Sequence, residues 1–439
     1  MADRPRSPDS GDLPGPSVAY ARWVDACTNA GWLPMPVAER VAVTDGLGRV
    51  TAGLIQALLP APRFDCAAMD GIAIRAGTVT SASGELGDRW HLAAASFIPI
   101  DTGEPMPPGT DTVVERERVQ QTADGSAWII GPAPPGMNVR TQGEDFRAGQ
   151  PLVPAGHRLR PVDLAAAAAG GHSGLDVIRR PVVAIIPTGD EIRPAGSALG
   201  QADIIDSNSI MLAGQTSDAG AVPLVCDIEP DDPAAVARKI SKVARAADLI
   251  LVIAGSSAGR RDYTATVLSD VGSLTIRGVA VRPGHPVLLG HARTSRAVDE
   301  QPTAVPVIGV PGYPLAAAVI FELFVVPLLA ALQGIPPPGR ERRRAQLACD
   351  WTSSPDIEDW VPVVLSPTAD RHAPDGTQVS LATPSGHGAG AITRLLHADA
   401  WWPIPFGQAK FARGEYIDVQ PIPGATANLP GDGRAEVPN

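Results

Sequence analysis

Short polar and glycine-rich turns, each following an apolar run, carry most of the chemistry this chain could do. Gly255-Ser256-Ser257-Ala258-Gly259-Arg260-Arg261-Asp262 follows the run DLILVIA. Successive backbone N–H groups in such a turn can form an anion nest, and the two arginines add charge. The same residues also suit a plain strand-to-helix turn with Asp262 as its N-cap. Val281-Arg282-Pro283-Gly284-His285-Pro286 joins two rigid prolines, a glycine and two potential cations. It reads either as an oxyanion holder or as an ordinary Pro/Gly turn. Asp190 and Glu191 follow one apolar run, and Asp231 and Asp232 follow the next. Carboxylates gathered at one sheet edge can hold Mg²⁺, a hard cation suited to phosphate chemistry; the other reading is solvated acids and helix caps. Ala68-Met69-Asp70-Gly71 and Gly143-Glu144-Asp145 are acid-plus-glycine turns, each a weak signal because turns favour Asp and Gly anyway. His285 is the histidine nearest this chemistry. The chain contains no nucleophile elbow, P-loop, zincin motif or Rossmann GxGxxG.

The elements that must position these turns can be read from hydrophobic periodicity. From about 179 to 334, apolar strand-like runs alternate with helical patterns: PVVAIIPTGDE, DSNSIMLAGQTSDAG, AVPLVCDIEPDDP, PAAVARKISKVARAA, DLILVIAGSSAG and AVPVIGVPGYP. That order predicts an open, mostly parallel, doubly wound α/β sheet with ligands outside the carboxyl ends of its strands. Asp206 or Ser207 is the expected cap of the helix that follows. Residues 60–146 hold short apolar runs split by Gly, Pro and Asp, the pattern of a small β-rich domain. Helical patterns are expected at 18–32 and about 37–59, and an Ala-rich helix at DLAAAAAGGH, 163–172, is stopped by its glycine pair. Residues 335–425 begin with a Pro-rich linker and continue as a second small β domain, while 1–15 and 426–439 read as disordered tails.

Bulk composition narrows the function classes. A chain of 439 residues needs several cores. Its net charge of −11 argues against nonspecific binding to nucleic acid or anionic membranes, without forbidding a local basic pocket. Lysine occurs only at 239, 242 and 410, so arginine stands in wherever cations are needed. Cys27, Cys66, Cys226 and Cys349 form no CxxC pair, which points to a reducing cytoplasm rather than a disulfide framework. The N-terminal stretch lacks the apolar segment of a signal peptide. The apolar stretch Leu315–Leu332 is interrupted by Glu322 and Pro327 and is expected as a buried helix rather than a membrane span.

Taken in order, the segments FDCAAMDGIAIRAG, DTGEPMPPGTDTVV, NVRTQGEDFRAGQPLVPAG, VVAIIPTGDEI, IIDSN, AGSSAGRRDYT, RPGHP and GVPGYP resemble the molybdopterin molybdenumtransferase family, which includes MoeA and the E domain of gephyrin. The resemblance implies an elongated homodimer. Each subunit would have a linking domain (16–59 with 147–178), an inserted β domain (60–146), an α/β molybdopterin-binding domain (179–334) and a C-terminal β-barrel-like domain (335–425). It implies cleavage of molybdopterin-AMP with release of AMP and placement of molybdenum from molybdate on the dithiolene, with Mg²⁺ as cofactor. Molybdopterin adenylyltransferase and an apo-molybdoenzyme are the implied protein partners. Residue by residue, Asp70, Asp145 and Asp262 match the family's acids, and Arg282 and His285 stand where its KPGKP lysines do. Thr102, Asp190, Glu191, Gly255, Ser256, Ser257, Gly259, Pro311, Gly312 and Pro314 match substrate-binding segments. Asp190, Glu191 and Asp262 are the implied metal ligands.

The chain departs from the family pattern at several places. DCAAMDGIA replaces DNSAMDGYA, AGSSAGRRDY replaces GGVSVGxxDY, RPGHP replaces KPGKP, and Tyr313 replaces the Asn of GLPGNP. MDGIA, GSSAG and GYP together resemble a divergent branch often joined to a periplasmic-binding-protein-like domain. An active insertase keeps the acids and the nest loop. A non-catalytic carrier, sensor or partner that binds the pterin or an oxyanion would explain RPGHP and Tyr313. A stand-alone adenylyltransferase would resemble 179–334 only and leave the block 60–178 without a purpose.

Overall fold

The computed structural model describes residues 13–78, 80, 81, 89–254, 258–294, 303–337, 341–367, 379–386, 388, 390–422 and 424, with backbone alone at 78, 80, 81, 254 and 258–262. The chain forms two compact units, one from residues 37–179 and the other from 1–36 together with 180–439. The tails expected at 1–15 and 426–439 lie almost wholly outside the described residues.

In the first unit, strand Ala38–Ala42 pairs antiparallel with Gly174–Ile178, and Ile55–Gln56 pairs with Pro151–Val153. The expected helix over 37–59 is therefore corrected to strands and turns. Its apolar residues serve pairing instead: Val41 sits opposite Leu175, and Gly48 adopts a φ of 70° that a helix cannot use. Ile55, Val153, Leu159, Ala167, Leu175 and Val177 form the core under helix Pro161–Ala169, which ends at Gly170-Gly171 as the sequence implies. Residues 60–146 are β-rich, as expected. A three-stranded sheet runs Phe97–Ile100, Gly71–Ile74, Thr112–Glu115, and a four-stranded one Thr80–Ser81, Arg89–Leu92, Ala127–Ile130, Val119–Gln121.

Helix Pro161–Ala169 begins on a compact polar knot. Asp163 accepts hydrogen bonds from the Arg160 backbone N–H (2.7 Å), from Arg160 Nε and Nη2 (3.0 and 2.9 Å), and pairs with His157 Nε2 at 2.8 Å. The Arg160 guanidinium holds the Asp163 carboxyl well below the usual carboxylate range, against the opposing pull of burial. A carboxyl depressed in the folded state adds stability above its unfolded value near ~4 and loses it as pH falls towards the folded value. Asp163→Asn should cost about 1–2 kcal/mol at neutral pH. It should also flatten the loss of stability on acidification, as read from urea midpoints between neutral pH and pH ~3. An unchanged acid limb would remove this pair from the pH dependence.

The second unit is built on a six-stranded sheet in the order Val222–Val225, Val182–Pro187, Leu249–Ala254, Thr303–Pro311, Leu288–Thr294, Gly272–Arg277. The first four strands pair in parallel, Leu288–Thr294 runs antiparallel to them, and Gly272–Arg277 pairs antiparallel with it in turn. Alternate residues of the Val182 strand serve opposite faces. Val183 and Ile185 join the core under Leu212 and the helix from Pro314, while Ala184 and Ile186 join the core under Val236, Ile240 and Leu268. That two-sided burial is why these strands read as unbroken apolar runs. The stretch Pro314–Leu332 is helical throughout, with a five-residue π turn at Phe321–Val325, and is largely buried in the core.

Helix Pro16–Asn29 packs differently from its sequence grouping. Fully buried Trp23 lies in the α/β core with Ala19 and Cys27, and its indole N–H donates to the Gly290 carbonyl at 2.7 Å. Amphipathic spacing reveals an apolar face but not the socket that receives it. The C-terminal strands Glu358–Ser366, Ser380–Pro384, Arg343–Leu347, Tyr416–Pro421 and Ala400–Ile404 pair in a closed ring, a barrel around Leu347, Val363, Trp402 and Val419. The short strand Val281–Arg282 adds alongside Glu358–Asp359 and ties the α/β part to the barrel.

Candidate active site

The acid turn of the first unit is pre-arranged. Asp70 precedes strand Gly71–Ile74 and is exposed. Its Oδ1 accepts from the Thr102 hydroxyl at 2.6 Å and the Thr102 backbone N–H at 2.8 Å, while its own carbonyl accepts from Arg116 N–H at 2.9 Å. The Thr102 hydroxyl, then its N–H, hold the Asp70 carboxyl below the ordinary range, with a smaller contribution from the Arg116 charge. The structure thus brings together Asp70 and Thr102, which are 32 positions apart. Asp145 lies exposed on a separate turn, where Gly143 has a φ of 73° and the Asp145 N–H donates to the Ala61 carbonyl.

In the second unit, the TGDE turn follows strand Val182–Pro187. The Thr188 hydroxyl and N–H both donate to the Ile253 carbonyl, at 2.9 and 3.1 Å, locking this turn to the next strand. Gly189 has a φ of 140°, and a Cβ there would come within 2.7 Å of Ile192. Asp190 Oδ1 accepts from the Asp231 N–H at 3.3 Å. Asp232 caps helix Pro233–Val243 by accepting from Ala234 and Ala235 N–H groups, so the cap reading holds for this acid. Asp206 accepts from Ser209 N–H at the start of the next helix towards the N-terminus, as anticipated. Glu229 is paired with Lys239 at 2.8 Å.

Tyr263 is a residue the sequence reading passed over. Its hydroxyl is buried with no hydrogen-bond partner among the described residues, and burial together with Asp231, Asp232, Asp190 and Glu229 pushes it up to about 12. Gly255, Ser256 and Ser257 lie outside the described residues; Gly259 and Asp262 are the second and fifth residues of helix Ala258–Val271, where only backbone is described, so Asp262 is not the helix N-cap. Among the described residues, no group of three or more His, Cys, Asp or Glu side chains is assembled to hold a metal. The described carboxylates thus do not by themselves fit a Mg²⁺ site.

The RPGHP turn opens a cavity of about 380 Å³ between the α/β part and the barrel. Arg282, His285 and Pro311 line it, as does Tyr313, which is half exposed. Gly284 adopts a φ of 122°, and a Cβ there would lie 2.9 Å from Ile320, so only glycine lets the turn seat on the core helix. Gly312 is held from below: Asn208 Nδ2 donates to its carbonyl at 2.8 Å. Pro314 is the first residue of the following helix and does not line the cavity. The far wall comes from the barrel, through Asp359, Trp360, Pro362, Gly386 and Gly388. None of these was singled out from the sequence. The glycine-rich stretch GHGAG at 386–390 was the available signal. Asp190 lines a different hollow, of about 880 Å³, with Gly189, Asp206, Ser209 and Glu229.

Three family models match the chain consecutively: the MoeA N-terminal region (domain I and II) over residues 19–171, a "probable molybdopterin binding domain" over 184–331, and the MoeA C-terminal region (domain IV) over 344–422. The chain is 32% identical over 404 residues to molybdopterin molybdenumtransferase 2 of Mycobacterium tuberculosis, covering 86% of this chain and 94% of that one. It is 30% identical over 396 residues to the molybdopterin molybdenumtransferase of Nostoc sp., covering 86% and 87%. A solved molybdopterin biosynthesis MoeA protein from Pyrococcus horikoshii superposes with a TM-score of 0.71 at 28% identity, covering 93% of this chain and 99% of that one. With family models over three consecutive stretches and relatives at 30% identity or more over most of its length, the chain belongs to the molybdopterin molybdenumtransferase family.

Proposed function

We propose that this protein inserts molybdenum from molybdate into molybdopterin-AMP, releasing AMP, as an enzyme of molybdenum cofactor biosynthesis. The observation that carries the reading is the cavity at the RPGHP turn, where an arginine fork, a histidine and the GVPGYP loop converge beside a barrel wall. A tetrahedral oxyanion needs positive or N–H-rich walls fixed before it arrives, because preorganised donors need no reorganisation during the reaction. Arg282 and His285 supply those walls. The Asp70 carboxylate, held ionised by Thr102, suits orientation of a nucleophile or proton acceptor at the phosphoanhydride. Asp145 and Asp262 complete the acid set, and Asp190 and Glu191 with Gly255, Ser256, Ser257 and Gly259 take the pterin phosphate. A homodimer working in the cytoplasm, supplied by molybdopterin adenylyltransferase and emptied by an apo-molybdoenzyme, completes this reading.

Purified protein mixed with molybdopterin-AMP, Mg²⁺ and molybdate should release AMP only when molybdate is present. It should then yield cofactor that activates an apo-enzyme. Tight pterin binding with no AMP release under these conditions would sink the insertion reading and leave a binding role.

A further inference from the structure

Arg282 does not meet the cavity alone. Its Nε donates to Asp359 Oδ1 at 3.1 Å, and its Nη2 donates to Asp359 Oδ2, so one edge of the guanidinium is matched to one carboxylate. Asp359 comes from the barrel, is 2% exposed, and is itself fixed by the Ser353 hydroxyl at 2.9 Å. The backbones run side by side here, with Arg282 opposite Asp359 in a parallel pairing. This side-on arrangement leaves Nη1 without a hydrogen-bond partner among the described residues, while the arginine side chain stays 42% exposed.

Two physical consequences follow. The guanidinium plane cannot swing, so the edge left over points in one direction; a lysine, with its rotatable point charge, could not be held that way. The positive charge is also cancelled at close range. Much of the remaining wall is apolar, including Pro283, Pro286, Leu315 and Ala316. With the Arg282 charge offset and His285 the other basic group on the wall, this cavity must recognise its ligand by donor geometry more than by net charge.

We propose that Asp359 is a positioning and selectivity residue for the oxyanion, fixing which edge of Arg282 meets the ligand and offsetting the charge that would attract competing anions. The identity of that ligand rests on the insertion reading above; the arrangement of the pair does not.

The test uses the full chain and two inorganic probes, molybdate and sulfate, measured by equilibrium dialysis, with AMP release assayed in parallel. Asp359→Asn should bind both anions about 3- to 10-fold more tightly, the effect of removing one negative charge several ångströms away in a partly solvated pocket. Its molybdate-to-sulfate preference should fall towards one, and turnover should drop at least ~10-fold because the fork is no longer aimed. Ser353→Ala, which loosens the carboxylate without removing it, should move both quantities part of the way. Unchanged anion affinity and preference in Asp359→Asn would overturn the proposal. So would a joint loss of binding and melting temperature in Asp359→Asn with Ser353→Ala behaving as wild type, since that pattern marks a residue that only holds the barrel together. If the wild-type protein releases no AMP yet Asp359→Asn shifts anion affinity and preference as stated, the insertion reading fails and the positioning role stands.

Discussion

Replacing Asp70 by Asn should lower AMP release and cofactor formation by about 100-fold or more while leaving the melting temperature within a degree or so. The side chain is exposed, and its visible partners are the Thr102 hydroxyl and N–H, which an amide oxygen can still accept. Fold stability therefore has little to lose, whereas a group that acts by its charge or its basicity loses both. A companion measurement tests the reason. Thr102 donates the hydrogen bonds that lower Asp70, so Thr102→Val should let that carboxyl rise, and the acid limb of the rate profile should move to higher pH. Near-wild-type turnover in Asp70→Asn would demote the AMDG acid to a turn-former.

Gly71→Ala should destabilise the first unit by about 3 kcal/mol or more. A Cβ at this position would stand 1.9 Å from the Val114 carbonyl oxygen and 2.8 Å from its carbon. These are backbone atoms, so no side chain can swing aside to relieve the clash. The strand Thr112–Glu115 must move away from its neighbour instead. That displacement would carry Arg116, whose N–H holds the Asp70 carbonyl, so activity should fall beyond what the lost stability explains. Denaturant unfolding followed by far-UV circular dichroism, with kinetics on the remaining folded fraction, would separate the two effects. A variant as stable as wild type would mean that the sheet has slack there which the strand spacing does not suggest.

How far the sequence carried the reading depended on the range of each signal. The parallel strands were legible because burial on both faces leaves runs such as LILVIA with nothing polar to interrupt them. The capping roles of Asp206 and Asp232 were local enough to anticipate, since a cap acts within three residues of itself. The segment after Pro36 was misread as helical because an apolar count cannot tell pairing from periodicity over so few turns. Asp359 was invisible for a different reason. It lies 77 positions from Arg282, in a stretch whose spacing suggested only a small β domain, and nothing about an acid before Trp360 announces which cation it will face. Tyr263 was likewise seen as part of a motif. Its buried hydroxyl among four acids is a property of loops arriving from three strands, and no one of those loops carries that information.

The path of the chain through its two units has a bearing on how the protein is made. Helix Pro16–Asn29 leaves the ribosome well before the strand that receives it, since the carbonyl that accepts from the Trp23 indole N–H belongs to a residue 267 positions later. At typical translation speeds that interval is on the order of ten to fifty seconds. Residues 37–179 hold their own cores and can close during the wait. The opening helix cannot, and it spends that time with Ala19, Trp23 and Cys27 uncovered. Nascent-chain chaperones should therefore engage this segment early and release it only after the Leu288–Thr294 strand has emerged, which ties the fate of helix Pro16–Asn29 to the pace of synthesis.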